Sequence, residues 1–321
     1  MSSPKVQFDP KRLLAIAVLT TGLFLTVNGC DDDPKAVEPD MPVDIQNPTN
    51  GLRSITVGSR TREYRLYVPD SYDEASAVPL LLNFHGYTQT AREQMEDISD
   101  MRALAESENF ILIYPQGRSF QGETHWNVGS WTQGSTSNDI GFIDVLIEEM
   151  AANYNIDRTR IYACGYSNGG FFSYELACQL SDHIAAIGTV AANMSLRTRD
   201  MCNPTHPTPV ITISGTGDPI VHYDGTSPVA TISHGAVMHY WVTFNNGNIN
   251  PTIVTLPDRV PSDGTIVEFH EFADGDQGVA VHHYRVLRGG HDWPGSFGNM
   301  DIDANQLIWD FVSQYDLNGK I

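Results

Sequence analysis

The feature that most constrains this 321-residue chain is a succession of short runs that are apolar almost throughout, not at alternate positions. They read "VPLLLNF" at 78–84, "FILIYP" at 110–115, "RIYACGY" at 160–166, "AAIGTV" at 185–190 and "PVITISG" at 209–215. Successive side chains of a strand point to opposite faces, so such runs suit strands buried on both sides, which is the habit of parallel sheets. Between them lie amphipathic segments: a helix around 91–107, one from Ile140 to Asn155, one opening after Ser167, one near 232–245 and a terminal one in "DANQLIWDFVSQY". The second puts Ile143, Leu146, Ile147, Met150 and Tyr154 on one face. Two antiparallel-type strands, "LRSITV" and "EYRLYVP", precede this alternation, and a pair in "GTIVEFHEF" and "VAVHHYRVL" falls near its end. The expected architecture is α/β, with a mostly parallel central sheet and helices on both faces, and with ligand chemistry at the carboxyl ends of the strands.

Residues 1–29 fall outside this pattern. Lys5, Lys11 and Arg12 precede "LLAIAVLTTGLFLTV", which closes on Asn28-Gly29-Cys30. A basic start, a short apolar run and a small-residue end read as an export signal, not as a membrane-spanning helix. The ending resembles a bacterial lipobox, which makes Cys30 the expected lipidation site and first mature residue. Residues 30–50, rich in Asp, Pro and Asn, read as a flexible acidic tether. Residues 51–321 then form one catalytic domain, without internal repeat. The expected product is an exported, membrane-anchored lipoprotein, periplasmic or at the cell surface. Beyond residue 29 the chain carries 16 Lys and Arg against 38 Asp and Glu, a net charge of −22, which argues against nucleic acid or an anionic membrane surface as partner. A monomer is expected.

Within "IYACGYSNGGFFSYELACQL", 161–180, Gly165-Tyr166-Ser167-Asn168-Gly169 ends a predicted strand and opens a helix. This is the context of a nucleophile elbow, in which the serine backbone is strained and side chains at the glycines would strike neighbouring strand and helix. A serine that merely caps the helix is the plainer alternative. A serine nucleophile needs a base, and the base an orienting acid, in the chain order Ser, acid, His for this fold. Asp218 follows the run "VITISG", and His291 lies in "GGHDWPG" after the last long strand, which gives Ser167, Asp218 and His291 that order. Asp224 and Asp292 are rival acids whose commoner use is in turns or caps. His282 and His283 are rival bases, though they fall inside a strand. His282, His283, His291 and Asp292 lack an established ligand spacing, and neither metal nor cofactor is expected. The oxyanion donors expected are the N–H of Asn168 and that of Tyr87 in "FHGYTQT", with Gly86 as the off-by-one alternative. His85 reads as structural.

The motifs "HGYTQT", "YPQG", "DIGFIDVLI", "GYSNGG", "GTGDPIVHYDG" and "GGHDWPG", in that order, resemble the poly(3-hydroxybutyrate) depolymerase-like esterases, grouped with bacterial feruloyl and acetylxylan esterases of the carbohydrate esterase family 1 type. The resemblance spans roughly 52–315. It implies the α/β-hydrolase fold, with Ser167 as nucleophile, Asp218 as acid and His291 as base. Cutinase-like polyester hydrolases share the elbow and a Gly-Tyr loop, and their His loop fits less well. Of Cys164, Cys178 and Cys202, the first sits in a strand, so Cys178–Cys202 is the preferred disulfide, a pairing the resemblance also suggests.

The long segment 120–142 carries Trp126 and Trp131, and Trp293 is two residues from His291. These rings and His222 are candidate substrate contacts, with filling of space beneath the loop as the other use of the tryptophans. Asp139 is expected to cap the helix that starts near Ile140. The function expected is a serine esterase acting on feruloyl or acetyl polysaccharide esters or on polyhydroxyalkanoate-type polyesters, with aromatic polyesters as the alternative. A non-catalytic lipoprotein that binds polysaccharide or polymer is the alternative of another class.

Overall fold

The computed structural model describes residues 50–226 and 231–321. The export signal, Cys30 and all of the tether but Asn50 lie outside the described residues. The first strands are β1 (Gly51–Val57), β2 (Arg60–Tyr67) and β3 (Val78–Phe84). A helical stretch follows: α1 (Ala91–Glu93), a π-helical turn at Gln94–Ile98, and α2 (Arg102–Glu108). Then come β4 (Ile111–Pro115), a small hairpin of β5 (Arg118–Phe120) and β6 (Glu123–His125), α3 (Asp139–Asn153), β7 (Ile156–Tyr166) and α4 (Asn168–Gln179). Next are β8 (Ile184–Val190), α5 (Leu196–Met201), β9 (Val210–Gly215), α6 (His234–Phe244) and β10 (Thr252–Thr255). The chain closes with β11 (Ile266–Phe272), β12 (Val281–Leu287), α7 (Ala304–Val312) and a short hairpin of β13 (Tyr315–Asp316) and β14 (Gly319–Lys320).

Ten strands form one sheet in the order β1-β2-β4-β3-β7-β8-β9-β12-β11-β10. Its six central strands, β4 to β12, are mutually parallel, and antiparallel pairs flank them on either side. The alternation of side chains divides the apolar runs between two cores. Leu80, Leu82, Ile111, Ile113, Ile161 and Ala163 face one core, built with α3, α4 and α6. Leu81, Leu112, Tyr114, Tyr162 and Cys164 face the other, built with α1, α2 and α7. Both faces being covered is why every residue of β3 and β8 is buried and why these strands show no polar alternation.

Three differences from the sequence reading have local causes. The helix expected over 91–107 breaks at Ser99, whose hydroxyl donates to Asn305 (2.7 Å) and accepts from Asn83 (2.8 Å), while its carbonyl accepts from the Tyr114 hydroxyl (2.6 Å). That network takes up the Ser99 carbonyl, which a continuous helix would use itself, and fixes the side chain off the helix path. The strand β10 was missed because all four of its residues are exposed, leaving no buried face to set a period. The six-residue α5 is too short to show one. Cys178 and Cys202 are disulfide-bonded, joining the end of α4 to the residue after α5. Among the described residues no helix is long and apolar enough to cross a membrane.

Candidate active site

The turn between β7 and α4 holds Ser167 at φ 51°, ψ −118°, a left-handed backbone that costs a residue with a Cβ energy. The crowding beneath it explains the glycines. A Cβ on Gly169 would lie 2.2 Å from the Phe84 carbonyl oxygen, and one on Gly165 2.5 Å from the Gly169 backbone. The Ser167 side chain makes no capping hydrogen bond to α4, so the capping role is not the one it has. Its own N–H donates to the Val190 carbonyl (2.9 Å), tying the turn to the end of β8.

Asp218 lies three residues past the end of β9, and His291 four past the end of β12, at the same carboxyl edge as Ser167. His291 Nδ1 is 2.7 Å from Asp218 Oδ2. The other oxygen, Oδ1, accepts from the Ile220 and Val221 N–H groups (2.8 and 2.9 Å), which fixes the buried carboxylate in one orientation. Tyr166, the residue before Ser167, ties this pair to the elbow. Its hydroxyl donates to the His291 carbonyl (2.7 Å) and its ring lies 5.1 Å from the imidazole. Burial pushes that phenol's pKa well above its ordinary value, so it stays a neutral donor.

Asn168 is the first residue of α4, where an N–H has no carbonyl partner within the helix. In the loop after β3, the Gly86 N–H donates to the Gln89 side chain (2.8 Å), Thr88 to the Thr124 carbonyl (2.9 Å) and Gln89 to the Gly86 carbonyl (3.3 Å). Among the described residues this leaves Tyr87 as the loop N–H without a partner, and it removes Gly86 from contention. His85 is structural: its Nε2 accepts from the Gly117 N–H (2.9 Å), so Nδ1 carries the proton given to the Gly86 carbonyl (2.7 Å). Burial lowers its pKa to about 4, keeping it neutral.

The rivals are occupied elsewhere. Asp224 is exposed and closes a turn onto Thr226. Asp292 accepts from the Gly290 N–H (2.8 Å), and burial raises its pKa. His282 packs on Phe311 beside Glu271, and burial lowers its pKa to about 4. His283, on the opposite face of β12, bonds to the Tyr223 hydroxyl (2.7 Å). Among the described residues no group of three or more His, Cys, Asp or Glu side chains is arranged to hold a metal ion.

No family model matches the chain. Among curated proteins it is 28% identical over 260 residues to a bifunctional acetylxylan esterase/xylanase from Neocallimastix patriciarum, covering 81% of this chain and 34% of that one. It is 29% identical over 256 residues to feruloyl esterase B of Piromyces equi, covering 78% and 44%. The chain thus spans a third to less than half of the length of these relatives. An acetyl xylan esterase from Aspergillus awamori superposes with TM-score 0.56 at 14% identity, over 82% of this chain and 99% of that one. A CE1 ferulic acid esterase from Anaeromyces mucronatus, in complex with ferulic acid, gives 0.51 at 17%, over 91% and 98%. The chain has the α/β fold of these esterases, a large mostly parallel sheet covered by helices.

In this fold the tryptophans are not equivalent, and two expectations are corrected. Trp126 is fully buried, stacked on Phe172 (4.9 Å) and edge-on to Phe84 (5.1 Å), with its indole N–H donated to the His85 carbonyl (3.0 Å). Trp293 is also fully buried, bonded to Asn305 (3.1 Å). Neither presents a ring to substrate. Trp131 is half-buried against Phe171, and His222 is half-buried with Nδ1 3.1 Å from the Thr226 hydroxyl.

Asp139 is corrected too. Asn138 caps α3 by accepting from the Gly141 N–H (3.1 Å). Asp139 is buried instead, accepting from Arg62 (2.9 Å), the Ser137 hydroxyl (2.6 Å) and the Asn127 N–H (2.9 Å). The Asn168 side chain is a positioning device that sequence reasoning missed. Its Oδ1 accepts from the Trp126 N–H (2.7 Å) and its Nδ2 donates to the Trp126 carbonyl (3.1 Å). The residue beside Ser167 thereby holds the 120–142 segment in place. Adjacency to Ser167 was its one signal in the sequence.

Proposed function

We propose that the protein is an exported, lipid-anchored serine hydrolase that cleaves feruloyl or acetyl esters of polysaccharides through an acyl-enzyme at Ser167. The observation that carries this reading is the 2.7 Å pairing of His291 Nδ1 with Asp218 at the edge where Ser167 sits on its strained turn. A carboxylate only accepts, so Nδ1 carries the proton and Nε2 is the basic nitrogen. Nε2 takes the Ser167 proton as Oγ attacks the ester carbonyl, and Asp218 stabilises the imidazolium that forms. The oxyanion accepts from the Asn168 and Tyr87 N–H groups. The imidazolium returns its proton to the departing alcohol, and a water activated by the same nitrogen then releases the acid.

The substrate class is supported by the relatives, an acetylxylan esterase/xylanase and a feruloyl esterase, and by the order of the motifs. Export and lipidation at Cys30 rest on the sequence of the first thirty residues. Wild type and Ser167→Ala assayed on methyl ferulate, acetylated xylan, polyhydroxybutyrate and an aromatic polyester test it. Turnover of a feruloyl or acetyl ester, lost in the variant, is expected. Clearing of a polyester alone would move the substrate to polymers, and silence toward all four together with short-chain esters would favour a binding protein.

A further inference from the structure

The strand β2 runs antiparallel to β4, pairing Tyr64 with Pro115, so its first residues lie beyond the carboxyl end of β4, at the edge that holds Ser167. There the β1–β2 turn and the residues before α3 enclose a cavity of about 300 Å³, lined by Gly58, Ser59, Arg60, Arg62, Arg118 and Asn138 among others. That volume is at the small end of ligand pockets. Its wall contains three arginines and neither Asp nor Glu, in a chain with 39 acidic residues against 19 basic. A lining of that composition is not what the surface as a whole would supply.

The cavity has a fixed floor. Arg62 is buried, donates to Asp139 (2.9 Å) and to the Gln116 carbonyl (3.1 Å), and lies over the Phe142 ring (3.9 Å). Asp139 neutralises one guanidinium of the three. Arg118 stands near enough to oppose the charge of Arg62, and neither Arg118 nor Arg60 has an ion-pair partner among the described residues. The excess positive charge and the fork of guanidinium donors match a planar oxyanion, and Ser59 and Asn138 add groups suited to hydroxyls. Sheet order places β2 three strands from β7, on the order of 15 Å at ~4.8 Å per strand.

We infer that this cavity is a subsite for a carboxylate carried by the substrate, on a sugar unit a few units along the polysaccharide from the one whose ester reaches Ser167. The inference rests on the esterase reading and narrows its substrate to esters of uronate-bearing polysaccharide. Calorimetric titration of full-length Ser167→Ala with glucuronate, glucose and inorganic phosphate tests binding apart from turnover. Saturable glucuronate binding is expected, weakened by added salt, absent with glucose and lost when Arg60→Gln and Arg118→Gln are added. With the active serine, the ratio of kcat/KM for an esterified xylo-oligosaccharide with and without a uronate should fall about tenfold in the double Arg variant, the scale of losing one or two partly exposed charge-assisted bonds. Arg158→Gln, which removes an exposed arginine paired with Glu148, should keep the wild-type ratio. Absence of glucuronate binding, phosphate bound as tightly with a ratio near one, or an equal fall in Arg158→Gln would overturn the subsite. Hydrolysis surviving in Ser167→Ala would instead overturn the esterase reading, leaving the titration to stand separately.

Discussion

The elbow at 165–170 and the segment 116–139 lie side by side and are built on different principles. The elbow is held by backbone: a positive φ at Ser167 and glycines whose Cβ atoms would meet the Phe84 carbonyl or the next turn of chain. The segment 116–139 is held by side chains from distant parts of the sequence, Asn168 on Trp126, Asp139 on Asn127 and Arg62, and His85 on Gly117. The difference separates chemistry from support. A backbone-built turn is specified by a few consecutive residues, whereas a side-chain-built loop depends on partners up to 77 positions away.

Perturbing each region should expose that division. The largest effect is expected for Ser167→Ala, which should lower kcat on the order of 10⁴-fold while leaving the thermal midpoint nearly in place. Next is Asp139→Ala, which leaves Arg62 buried without its carboxylate. Urea unfolding should show a loss of about 3–5 kcal/mol, with the remaining folded protein still active. Asn168→Ala keeps the backbone N–H and strands the Trp126 N–H and carbonyl, so a smaller loss of about 2–3 kcal/mol is expected, with KM raised more than kcat is lowered. The smallest is Tyr166→Phe, which removes the bond to the His291 carbonyl. It should cost about 1 kcal/mol of stability and slow kcat only a few-fold. Should Asp139→Ala cut kcat as deeply as Ser167→Ala without unfolding, the division would be wrong.

The same contrast explains what was legible in the sequence. The parallel sheet was readable because strands buried on both faces have to be apolar throughout, and "VPLLLNF" and "AAIGTV" are. The pairing of Asp218 with His291 and the strained turn at Ser167 were legible because each residue sits on a turn with its own local signature; the structure brings Asp218 and His291 into contact and holds Ser167 at positive φ. Trp126 and Trp293 were misplaced because an indole in a loop looks alike whether it meets a ligand or a core. Only the stacking on Phe172 and the bond to Asn305 distinguish the two uses. Asp139 looked like a cap because it opens a helix, yet Asn138 one position earlier takes that bond and frees Asp139 for Arg62. Arg60, Arg62 and Arg118 could not be grouped from sequence, since the β1–β2 turn and β5 meet only at the sheet edge.

The central claim is that Ser167 accepts the acyl group. Rapid quenching of wild-type protein with a slow feruloyl or acetyl ester, followed by peptide mass analysis of the 161–180 region, tests it most directly. The expected result is one acyl mass on Ser167, absent from Ser167→Ala and accumulating in His291→Ala only at a greatly reduced rate. Acylation on any other residue, or undiminished hydrolysis by Ser167→Ala with no acyl adduct in either protein, would contradict the account.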